Sequence, residues 1–179
     1  MKIKDKEFHK SKTYKNLQKA FETEIMGFVK YKFFASKAEE EHYLISQTFE
    51  ETASNEYEHA EVWFKLLNDG ELPSVMDSLK EAVSGEHYEH TYMYDEFADI
   101  AAEEGYEDIA EKFRRVGEVE KTHEKKYMDL LELLIDEKLY KSENNTIWIC
   151  QKCGNIHVGK TPPDKCQICE HENTYFARK

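Results

Sequence analysis

The segments Glu56-Tyr57-Glu58-His59 and Glu120-Lys121-Thr122-His123 each place a carboxylate and an imidazole three residues apart. On a helix, positions i and i+3 share a face, so each pair can close on one cation. Carboxylate oxygen with imidazole nitrogen suits iron or manganese, whereas thiolate favours zinc or copper(I). If both pairs serve one site, two helices must be brought together. Two further helices must each supply a lone Glu to complete the coordination.

Gly and Pro number only seven and three, and long runs lack both, which favours the helices such a site requires. Residues 1–12 read as a polar lead-in. Thr13 is the expected cap of a first helix reaching about Ala38, with Leu17, Phe21, Phe28, Tyr31 and Ala35 on one face and Glu24 in their midst. Glu39-Glu40-Glu41 reads as a tight connection and the start of a second helix, where carboxylates suit the helix dipole. That helix runs to about Asn68 with Phe49, Glu56, His59 and Trp63 inward, and Asn68–Pro73 is its stop. A third helix is expected from Asp77 or Ser78 to Gly105, carrying Glu86, Glu89, Met93 and Phe97. A fourth covers roughly 106–140, with Phe113, Glu120, His123 and Leu130 inward, and 141–147 read as a linker.

Antiparallel neighbours bring residues equidistant from their turn to one height. Glu24 and Glu56 average to position 40, inside the expected first turn, and Glu86 with His123, or Glu89 with Glu120, average beside Gly105. Each set lies about sixteen residues from its hairpin end, ~24 Å along the axis. Both hairpins therefore carry their acids at matched depth. Glu39-x-x-His42 has the same spacing but falls at the first turn, too far from His59 to share a site. His87 and His90 read as ordinary solvated or core histidines.

All four cysteines fall in two C-x-x-C pairs, Cys150/Cys153 and Cys166/Cys169, twelve residues apart. Four thiolates in two hooks make a tetrahedral site for zinc or iron, not a disulfide framework, and fit a reducing cytoplasm. So short a segment builds no core of its own and depends on the metal to hold it together. Zinc would make it a structural ribbon; iron would make it a one-electron carrier.

The net charge of −12 argues against a nucleic-acid partner. Residues 145–179 carry a net +2, so residues 1–144 carry −14. No apolar run approaches the ~20 residues that span a bilayer, and MKIKDKEFHKSK lacks the apolar stretch of a secretory signal. No Gly-rich phosphate loop is present, so NAD(P)H is not expected to bind this chain.

The two halves together resemble the rubrerythrin family, on AFETE around Glu24, FEETASNEYEHA around Glu56 and His59, GEHYEHTYMY around Glu86 and Glu89, VEKTHEKKY around Glu120 and His123, and WICQKCGNIHVGK with the later C-x-x-C. The resemblance implies an all-α, ferritin-like four-helix bundle over residues 1–144 and a small rubredoxin-like β/loop domain over 145–179. It implies Glu56 and Glu120 as bridging ligands of two irons, Glu24 on one iron, and Glu86 with His123 on the other. Glu89 and His59 would exchange on the first iron with redox state, and Tyr31 and Tyr94 would hydrogen-bond ligand carboxylates. Cys150, Cys153, Cys166 and Cys169 would hold one further iron. Gln167, Glu170 and Glu172 depart from the usual second rubredoxin hook, and Asn155 stands where a Tyr is common; zinc therefore stays open.

The activity implied is that of a non-haem di-iron peroxidase reducing hydrogen peroxide to water in oxidative-stress defence. Electrons would pass through the four-cysteine centre from an NAD(P)H-linked reductase or a rubredoxin, in a cytoplasmic homodimer or larger assembly. Two other classes fit the same residues: a ferroxidase or iron-storage protein, and a non-enzymatic metal-binding protein with a zinc ribbon.

Overall fold

The computed structural model describes residues 6–179. The chain forms two compact units divided between Pro73 and Ser74. The lead-in expected over 1–12 lies partly outside the described residues; within them, Phe8–Lys10 form a 3-10 turn.

The first unit is a hairpin of α1 (Lys12–Glu40) and α2 (Ser46–Leu67). The cap of α1 is Ser11, not Thr13: its side chain accepts from the Tyr14 amide at 3.0 Å, satisfying a donor that the first turn leaves unpaired. The three glutamates at 39–41 do not open α2. Glu39 and Glu40 complete α1, and His42, at φ 63°, turns the chain out of the helix. The face between the helices is lined by small residues: Ala35, Ala38, Ala53 and Ala60 are all buried. Phe33, Phe34, Val62 and Tyr57 stay exposed, because two helices alone cannot cover large side chains.

The second unit opens with α3 (Val75–Tyr88), continues through a π-turn (Glu89–Met93) into α4 (Tyr94–Glu103), and returns along α5 (Glu107–Ile135). The third helix thus begins earlier than expected, because Ser74 caps it and accepts from the Asp77 amide at 3.1 Å. Both α3 and α4 pack on α5. Here too small residues line the contact: Ala98, Ala101, Ala110 and Gly117 are buried. A Cβ on Gly117 would lie 3.3 Å from the Tyr94 Cβ, so the glycine permits that close approach. Helix α5 stops at Ile135, short of the expected 140, where Glu137 takes φ 54°.

The C-terminal part is a three-stranded antiparallel sheet in the order β2-β1-β3, made of β1 (Thr146–Cys150), β2 (Ile156–Gly159) and β3 (Phe176–Arg178). Strand β1 claims Thr146 and Ile147 from the expected linker. Trp148, Cys150, Cys166 and Phe176 form its core, and the Trp148 indole donates to the Gly159 carbonyl at 3.0 Å. Among the described residues no helix is long and apolar enough to cross a membrane.

Candidate metal centres

In the first unit α1 supplies Glu24 and α2 supplies Glu56 and His59. His59 Nδ1 lies 3.1 Å from Glu56 Oε2 and 3.8 Å from Glu24 Oε2. Gly27, one turn beyond Glu24, leaves room for the Glu56 side chain: a Cβ there would stand 3.5 Å from Glu56 Cγ. The hydrogen bond with Glu24, then that with His59, holds Glu56 below the usual carboxylate range. The two carboxylates are mostly covered while His59 is 57% exposed.

The second unit repeats the pattern. Glu86 comes from α3, and Glu120 and His123 from α5. His123 Nδ1 lies 2.6 Å from Glu120 Oε2 and 3.5 Å from Glu86 Oε2. Burial and the neighbouring charge of Glu120 push the Glu86 carboxyl above its ordinary range, against the pull of His123. Each triad keeps its donor atoms within 4.8 Å of one another. Among the described residues no Lys or Arg pairs with any of these four carboxylates. Crowded carboxylates and imidazoles without a basic side chain are a donor set suited to a divalent cation.

Glu89 stands at the start of the π-turn, outside the triads, where its charge contributes to raising Glu86 and Tyr94. Tyr94 is pushed up first by burial and then by Glu89, Glu120 and Glu86, while its ring packs against Phe97 and Phe113. Tyr31 packs against Phe34 and Phe49. Neither tyrosine hydroxyl reaches a carboxylate within hydrogen-bonding distance among the described residues. His87 and His90 are not merely solvated; both contact Glu124 on α5.

The four sulfurs converge in the C-terminal part. Cys150 and Cys169 Sγ are 3.7 Å apart, and Cys153 and Cys166 Sγ 3.5 Å. Tetrahedral thiolates at metal–sulfur distances of about 2.3 Å stand roughly 3.8 Å from one another, so the cage needs little adjustment. Each hook ends in a left-handed residue, Gly154 at φ 75° and Glu170 at φ 60°, whose amides bond back to the Cys150 and Cys166 carbonyls. The Cys169 amide lowers the Cys166 thiol to about 6. Cys169 is pushed up to about 12: the His171 amide pulls it down, but burial and the sulfurs of Cys153, Cys166 and Cys150 outweigh it. Asn155 Nδ2 donates to Cys166 Sγ at 3.7 Å, a contact that bears on the sulfur's electron density.

Two helical hairpins with carboxylate–imidazole triads, followed by a tetrathiolate sheet module, define a non-haem metalloprotein with two kinds of centre. The rubrerythrin family model matches residues 15–131, and that of the rubrerythrin rubredoxin-like domain matches 148–177. A relative from Methanocaldococcus jannaschii is 38% identical, over 93% of this chain and 92% of its own. Rubrerythrins from Clostridium perfringens and Nitratidesulfovibrio vulgaris are 37% and 36% identical, each over 93% of both chains. The chain belongs to the rubrerythrin family. Its cofactors are accordingly a di-iron site and a four-cysteine metal site, and it is an oxidoreductase of the peroxidase type.

Proposed function

We propose that this chain reduces hydrogen peroxide to water at a di-iron site and draws its electrons through an iron held by Cys150, Cys153, Cys166 and Cys169. The observation that carries this reading is the matched pair of triads, Glu24/Glu56/His59 and Glu86/Glu120/His123, in a chain that also holds a four-sulfur cage. Two ferrous ions bound by such residues supply one electron each to the O–O bond, so that one peroxide and two protons yield two waters.

Glu56 and Glu120 are the proposed bridging ligands, the role that the family resemblance implies for them. Glu24 would hold one iron, and Glu86 with His123 the other. Half-exposed His59 and the acid Glu89 would exchange as ligands with redox state, since an added negative charge would suit the more highly charged ion. Tyr31 and Tyr94 donate to ligand carboxylates once the centre is loaded. The helical part over residues 1–144 houses this centre and residues 145–179 the electron carrier. An NAD(P)H-linked reductase or a rubredoxin supplies the electrons. A homodimer or larger assembly is supported by exposed apolar side chains such as Phe33, Phe34 and Val62. The setting is cytoplasmic, consistent with four free thiols.

The test is to reduce the iron-loaded protein fully, add one equivalent of hydrogen peroxide, and follow both centres by stopped-flow absorbance. Rapid reoxidation of both is expected. Reoxidation faster with air than with peroxide would instead assign a ferroxidase, and the lack of a bleachable red absorbance would assign a zinc ribbon.

A further inference from the structure

Beside the Glu86/Glu120/His123 triad lies a second constellation on the same two helices. His87, in the last turn of α3, places Nδ1 2.9 Å from Glu124 Oε1, and His90, in the π-turn, places Nε2 2.6 Å from Glu124 Oε2. The two imidazole rings stand 5.4 Å apart and nearly perpendicular, so their nitrogens converge from different directions on one carboxylate. The three donor atoms all lie within 4.8 Å of one another. Glu124 is paired with no Lys or Arg among the described residues.

The geometry points to a further metal site: His87, His90 and Glu124 bind a single divalent first-row cation of the zinc type and leave a fourth position open to water. Two imidazoles and a carboxylate with one open position is a donor set zinc accepts in tetrahedral form. Ligands at about 2.0–2.1 Å in that form stand roughly 3.3 Å apart, so the 2.9 Å and 2.6 Å contacts to Glu124 would widen by roughly 0.4 and 0.7 Å. Glu124 and His90 are mostly covered, their side chains 17% and 16% exposed, while His87 at 52% leaves one side open for entry. The other ring nitrogen of His90 faces the Thr91 hydroxyl at 3.4 Å, the kind of outer contact that fixes a ligating imidazole's orientation.

This site is separate from the proposed di-iron ligands. Glu86 and His87 are successive on α3, and His123 and Glu124 on α5, so at about 100° per residue the two triads occupy adjacent faces of one interface. A cation here crosslinks α3 and α5 without using any residue of the neighbouring triad.

The probe is cobalt(II), whose ligand-field absorbance reports coordination. Full-length protein, with its tetrathiolate metal retained and its carboxylate sites stripped, is titrated with cobalt(II), and bound metal per chain is counted by mass spectrometry. The parent is expected to take one more cobalt per chain than His90→Ala, and the difference spectrum to show ligand-field bands. The same difference is expected when Glu56→Gln and Glu120→Gln disable the di-iron ligands, which separates this proposal from the di-iron reading. Equal cobalt counts in parent and His90→Ala overturn it whatever the peroxide experiment gives. If far-UV circular dichroism shows His90→Ala unfolded, half-exposed His87→Ala takes its place in the subtraction: one cobalt fewer than the parent supports the site, and an equal count overturns it.

Discussion

Replacing Glu86 by Gln in the metal-free protein should raise its stability while removing a metal ligand. Burial and the charge of Glu120 raise the Glu86 carboxyl. At the 4.8 Å outer limit of donor separation, two full charges repel by about 0.9 kcal/mol in water-like surroundings and about 3.5 kcal/mol at an effective dielectric of 20. The 3.5 Å contact with His123 offsets part of this. A net gain of about 1 kcal/mol for the variant follows, or roughly 2–4 °C in Tm for a chain of this size. A carboxyl whose folded pKa lies above its unfolded one contributes stability below the unfolded value, and this is lost as pH rises through the folded one. The parent therefore recovers stability as pH falls from 7 towards the ordinary carboxylate range, whereas the uncharged amide does not. Melting of both metal-free proteins, followed by circular dichroism at the two pH values, should show Glu86→Gln ahead at pH 7 and the gap narrowing at pH 5. Added manganese(II) should reverse the order. A variant that melts below the parent at pH 7, or a gap that widens on acidification, refutes the like-charge account.

Glu89→Ala should keep ferrous iron bound but slow peroxide-driven reoxidation; unchanged stopped-flow rates would remove Glu89 from the exchange with His59. Glu170→Gly should stabilise the C-terminal module by about 1 kcal/mol, because glycine accepts the left-handed backbone that costs other residues roughly that much; a lower thermal midpoint would contradict this. Cys166→Ser should abolish the tetrathiolate metal and with it the order around Trp148, read as lost visible absorbance and a red-shifted indole fluorescence.

The features legible in the sequence are those that repeat or recur at fixed spacing. Both cysteine hooks have unmistakable intervals; the Glu-x-x-His spacing also occurs at Glu39 and His42, and it is counting from the turns that separates that pair from the others and places Glu24 beside Glu56 and Glu86 beside His123, as the hairpins do. Helix and strand ends are less legible. Ser11 and Thr13 are equally able caps by composition, and only the Tyr14 amide chooses between them. The glutamates at 39–41 suit a helix start, yet the left-handed His42 decides where the chain turns. Thr146 and Ile147 read as linker because strand pairing with Gly159 and Val158 is a long-range event. His87 and His90 read as ordinary solvated or core histidines, although their average positions with Glu124 also fall near Gly105.

The π-turn at Glu89–Met93 fixes how the helix from Val75 to Glu103 can change in length. Upstream of it Glu86 meets His123; downstream Tyr94 lies against Gly117 and Phe97 meets Phe113, all on α5. The wide turn holds about one residue more than α-helical winding would over the same arc, so the same residues wound as plain α-helix would swing one half by about one residue's rotation, ~100°, against the other. Either the acid or the aromatics would then face away. The helix can gain or lose turns at its ends, but its middle is a phase lock: a one-residue deletion inside the turn leaves both halves facing α5, whereas the same deletion on either side of it turns one half away.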